Sequence, residues 1–125
     1  MKKLYTSPVI VIDCPRNRIR IHRNALHLLG DPDYIVLMVN PSNLSFAIIP
    51  SRKLQIAHAV RWKNIADRQC FELCSKSLIM QLCNVCPNLE EAKRLRLTGE
   101  YIQSENVIQF RLDEKTERRS ECGTS

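Results

Sequence analysis

Three glycines in 125 residues are too few to build the glycine-rich loops that cradle phosphates, and no P-loop pattern occurs. Gly-x-Ser-x-Gly and His-Glu-x-x-His are also absent. The histidines, His22, His27 and His58, have no partner at a spacing that signals nucleophilic or metal chemistry. Glu90 and Glu91 are adjacent, so a helix would turn them to different sides rather than pair them as acid and base. An enzyme is therefore not expected, nor a cofactor. Aromatic residues make up only 6%, which leaves a core of Leu, Ile and Val. The apolar runs at 34–39 and 46–50 are strand length, far short of the ~20 residues a membrane span needs. Lys2 and Lys3 precede an apolar run at 9–12, but Asp13 and the lack of a small-residue cleavage site argue against an export signal. The expected location is cytoplasmic, with no membrane contact, and the six cysteines are expected to be reduced thiols.

The hydrophobic fraction of 44% suits a single folded domain. A chain of this size buries roughly two-thirds of its unfolded surface. The formal charge of +6 favours polyanionic partners and equally serves solubility.

A pattern occurs twice. Residues 19–30 and 71–82 each open with alternating apolar residues (Ile19 and Ile21; Phe71 and Leu73), then turn polar, then helical and apolar. Strand-like segments follow both. This divides the chain into a first half-unit at 5–50, a connector at 51–68, a second half-unit at 69–112 and a polar tail at 113–125. Strands are expected at 9–12, 18–22, 34–39, 44–49, 70–74, 94–97 and 107–112. Short helices are expected after Asn24 and Ser75 as N-caps, with Gly30 ending the first and a further turn at 89–92. Pro50 is expected to end its strand, and 98–105 to be a turn. The stretch 58–62 reads equally as strand or helix.

The most suggestive surface is basic. Arg16, Arg18, Arg20 and His22 point to one side of the second strand, with Ile19 and Ile21 on the other, and Arg23 follows. Alternate residues on a strand lie ~6.6 Å apart, comparable with successive phosphates of one DNA strand. Arginine grips phosphate bidentately and reads guanine edges. A solvated strand face paired with nearby acids is the other reading of the same residues. Lys53, with Lys2, Lys3, Arg52, Arg61 and Lys63, extends the basic surface or simply confers solubility.

Arg18-Ile19-Arg20-Ile21, Leu28-Leu29-Gly30, Asp33-Tyr34-Ile35 and Ile48-Ile49-Pro50 together resemble the SpoVT/AbrB family of small bacterial DNA-binding domains. The resemblance covers residues 16–50 well and 69–112 loosely. It implies a β-rich α+β fold, a swapped-hairpin β-barrel built from two strand–short helix–hairpin halves. It also implies DNA binding in transcriptional regulation, by a monomeric pseudo-dimer or a homodimer. The DNA-binding residues would be Arg18, Arg20 and Arg23, assisted by Arg16, His22 and Lys53. Glu72 and Cys74 stand where the first half has Arg20 and His22, so the first half would dominate the contact. Antitoxins belong to the same family, which makes a protein-interaction module the alternative. The chain also resembles small uncharacterised proteins of bacterial mobile elements.

Cys70, Cys74, Cys83 and Cys86 fall within seventeen residues. Cys70 and Cys74 lie on a strand rather than a knuckle, and Cys83-Asn84-Val85-Cys86 has no glycine turn, so core or incidental thiols are expected. A zinc site and a Cys83–Cys86 redox pair are the alternatives.

Overall fold

Alternation decides the first sheet. In the computed structural model, which describes residues 7–112 apart from 54, 64 and 66–68, Ile10 and Ile12 of β1 (Val9–Asp13) and Ile19 and Ile21 of β2 (Arg18–His22) are fully or almost fully buried. Their neighbours Val11, Arg18 and Arg20 face outward. Lys2, Lys3 and the tail at 113–125 lie outside the described residues.

The chain continues through α1 (Arg23–Leu28), β3 (Tyr34–Asn40), β4 (Ser45–Ser51), β5 (His58–Ala59), β6 (Cys70–Cys74), α2 (Lys76–Val85), α3 (Pro87–Ala92), β7 (Arg94–Thr98), β8 (Glu100–Ile102) and β9 (Val107–Arg111). It is a strand-rich α+β protein with two antiparallel sheets. Sheet A runs β6-β2-β1-β7, and sheet B runs β5-β3-β4-β9-β8. Each sheet takes strands from both half-units, so the halves interleave. Ile10, Ile12, Ile19, Ile21, Phe71, Leu95 and Leu97 from sheet A share one core with Ile35, Phe46, Ile48, Ile108 and Phe110 from sheet B.

The chain crosses between sheets at Gly99, whose N–H donates to Pro8 O at 2.8 Å. A Cβ at Gly99 would lie 2.6 Å from the Phe110 ring, so the absent side chain is what lets β7 turn directly into β8. On the opposite side no such junction forms among the described residues. β5 and β6 are edge strands, not hydrogen-bonded to each other, and a groove of about 660 Å³ lies between them. This corrects the expected closed barrel: with only two residues in β5, the connector supplies too little strand to bridge the sheets.

Several boundaries also differ from expectation. Pro50 sits inside β4, opposite Ile35, rather than ending the strand. That is tolerated because β9 pairs with β4 only over Ser45 to Ile48, so at Pro50 one side of the strand has no ladder partner to satisfy. The segment 98–105 contains β8, not only a turn. The first helix starts one residue before Asn24, and His22 is its N-cap without a side-chain cap bond. Ser75 does cap α2, its Oγ accepting from Leu78 N at 3.2 Å.

Candidate nucleic-acid interface

The outward face of sheet A is built from three strands in register. Val11 of β1 lies opposite Arg20 on one side and Arg96 on the other, and Asp13 lies opposite Arg18 and Arg94. Four guanidinium-bearing positions therefore flank β1 as two rows. Within a row, alternate residues are ~6.6 Å apart, and the rows stand two strand spacings apart, about 9.6 Å. Arg16 in the turn after β1 adds a fifth arginine at the edge of this face.

Two carboxylates are set among them. Asp13 is buried, its side chain 8% exposed, and its Oδ2 accepts from Arg16 at 3.3 Å and Arg18 at 3.4 Å. Burial acts to raise the Asp13 pKa, but the hydrogen bonds and charges of Arg16 and Arg18 together overcome it and hold the carboxyl below its ordinary value of 3.8. Glu72 of β6 accepts from Arg20 Nε at 2.8 Å and lies 3.8 Å from Arg18 Nη1. The β2 row is thus ion-paired. The β7 row is not: Arg94 and Arg96 are exposed and make no ion pair among the described residues.

The other predicted residues divide. His22 is exposed at the end of β2, opposite Cys70. Arg23 opens α1; its backbone N–H donates to Gln69 O at 2.9 Å, and its Nε is buried with no acceptor among the described residues. Lys53 is exposed in the bend after β4, on the chain leaving sheet B, and does not join the arginine rows. Arg61 lines the groove between β5 and β6 together with His58, whose pKa burial lowers.

Arg94 and Arg96 were not singled out from sequence. The available signal was that Arg94-Leu95-Arg96-Leu97 repeats the pattern of Arg18-Ile19-Arg20-Ile21. Only the topology shows that the two segments flank one strand.

The four cysteines at 70–86 are not brought together. Cys70 and Cys74 end β6, the Cys86 thiol donates to Leu112 O at 3.6 Å, and Cys83 faces Cys14. Among the described residues no three His, Cys, Asp or Glu side chains are grouped to hold a metal ion. His27 stacks on Trp62 with ring centroids 6.1 Å apart, and Trp62 Nε1 donates to Pro32 O at 3.0 Å, which places both in packing roles. No helix among the described residues is long and apolar enough to cross a membrane. Comparison with known protein families, with curated proteins and with solved structures finds no match for this chain.

Proposed function

We propose that this chain is a small DNA-binding protein of SpoVT/AbrB-like kind, acting in transcriptional regulation and gripping the duplex with the outward face of sheet A. The observation that carries this reading is the pair of arginine rows, Arg18 with Arg20 and Arg94 with Arg96, on either side of β1. With Arg16, five guanidiniums meet two carboxylates among the described residues, which leaves the described face with a net positive charge. Spacing within each row is roughly twice the 3.4 Å rise of one DNA strand. A sheet face with alternating outward side chains can follow a groove as a β-ribbon does. Asp13 and Glu72 occupy donors of Arg18 and Arg20, while among the described residues Arg94 and Arg96 have no side-chain acceptor and offer their donors to a phosphate. The interleaving of strands from both halves supports a swapped-hairpin relation within one chain, left open at the β5–β6 side.

The test is binding to labelled random duplex DNA across a salt series. Wild type is compared with Arg94→Ala/Arg96→Ala and Arg18→Ala/Arg20→Ala. A face that holds phosphates gives a steep fall of affinity with salt, at about −0.9 per contact, and each double variant flattens the slope by about one to two units. Negligible wild-type binding at low salt, or identical slopes for all three proteins, overturns the reading.

A further inference from the structure

Two thiols from opposite halves of the chain lie close together. Cys14 Sγ lies 3.8 Å from Cys83 Sγ across 69 residues of sequence, and both side chains are half-buried. Their backbones are held. Cys14 N–H donates to Lys93 O at 2.8 Å, and its carbonyl accepts from Asn17 N at 3.0 Å, which fixes the turn after β1. Cys83 lies inside α2, whose N-terminus Ser75 caps. A disulfide needs about 2.05 Å between sulfurs, so about 1.8 Å remains to close.

We infer that Cys14 and Cys83 form a redox-active dithiol that takes a low-molecular-weight disulfide as oxidant and closes to an intramolecular disulfide. The first protein thiolate attacks one sulfur of the small disulfide and expels one thiolate, giving a mixed disulfide. The second protein thiolate then attacks the protein sulfur of that bond and expels the other thiolate. Two protein thiols are oxidised, one small disulfide is reduced to two thiols, and the two S–H protons pass to the leaving thiolates. The bond would pin α2 to the β1–β2 turn and close a long loop. This site stands whether or not the arginine face binds DNA.

Among the described residues no other thiol pair shows this contact. The Cys86 thiol is buried and directed at Leu112 O, so the Cys-x-x-Cys spacing does not make Cys83 and Cys86 a pair. The experiment incubates the full chain in buffers of increasing oxidised-to-reduced glutathione ratio, blocks remaining thiols and maps linked peptides by mass. The expected product is one internal link between the peptides carrying Cys14 and Cys83, with a mass lower by two hydrogens and a melting temperature raised by roughly 10 °C. The link persists in Cys70→Ser, Cys74→Ser and Cys86→Ala, and disappears in Cys14→Ser and Cys83→Ser. Because Cys86 is buried and its variant risks misfolding, tandem mass spectrometry of the linked wild-type peptide assigns Cys83 or Cys86 independently. A link at any other pair, or Cys14 and Cys83 remaining fully alkylatable at the most oxidising ratio, overturns the assignment.

Discussion

Arg20 donates from Nε to Glu72 Oε2 at 2.8 Å, and these two residues occupy the same position in the two half-units. Each also faces the other in the β2–β6 register, so a local two-fold relating the two strands passes between them. Were both halves identical here, two arginines would oppose each other across that axis, a destabilising like-charge pair. Glutamate in the second half turns the clash into an ion pair. It also takes a negative charge onto the face that the arginines otherwise dominate.

Glu72→Gln therefore has opposite effects on stability and on the proposed binding. With side chains 35% and 23% exposed, the Arg20–Glu72 pair is screened, and its loss costs less than about 1 kcal/mol in thermal or urea unfolding. Removing the carboxylate leaves Arg20 available to a phosphate, so duplex affinity at low salt rises several-fold. Unchanged affinity in the Gln variant alongside a steep wild-type salt slope would place the contact on the β7 row alone.

The strands were legible because alternation is a local signal: Arg18 to His22, Cys70 to Cys74 and Arg94 to Leu97 show their buried faces directly in the order of residues. That Pro50 stays within its strand is not legible in the sequence, because its cost depends on whether a neighbouring strand needs its missing N–H, and that depends on how far β9 extends along β4. Barrel closure was illegible for a similar reason, since it turns on whether β5 and β6 meet. For the candidate site, Arg18 and Arg20 were found from their strand, but Glu72 and Asp13 became their partners only through pairing. Arg94 and Arg96 joined the face only because β7 lies beside β1. The Cys14–Cys83 contact has no spacing signal at all.

Asp13 makes stability sensitive to acid. Its folded-state pKa is lowered, despite burial, by Arg16 and Arg18. A depressed carboxyl pKa contributes stability that is fully present above the unfolded value near 3.8 and is lost as pH falls through the folded value. Urea midpoints should therefore drop as pH is taken from 5 to below about 3.8, and Asp13→Asn should show a smaller drop over the same window. Parallel curves for the two proteins would exclude Asp13 as the source.

Lys93 has φ 65 and ψ −41, a backbone conformation that side chains resist, between α3 and β7. Its side chain is exposed, while its backbone N–H and carbonyl are both hydrogen-bonded, to Leu89 O and from Cys14 N. Lys93→Gly keeps those bonds and relieves the strain, which outweighs the extra freedom glycine gives the unfolded chain. The expected outcome is a gain of about 1 kcal/mol in unfolding free energy, read from the denaturant midpoint at unchanged slope.

Gly99 gives the reverse case. Its φ is not in the left-handed region; the constraint is space. An added Cβ meets two Phe110 ring carbons at 2.6 and 2.7 Å and Gln109 O at 2.9 Å. Phe110 is fully buried against Phe46, with ring centroids 6.2 Å apart, so its ring has nowhere to retreat without disturbing the shared core. The backbone carbonyl of Gln109 is no freer, because β9 is paired on both sides there, with β4 and β8. Gly99→Ala should therefore destabilise by about 1–3 kcal/mol, the range for overpacking a tight core. Phe110→Leu in the alanine background should recover part of that loss by opening room beside the new methyl group, although Phe110→Leu alone should destabilise. A double-mutant cycle with no coupling between positions 99 and 110 would show that the crossing from sheet A to sheet B is not limited by this contact.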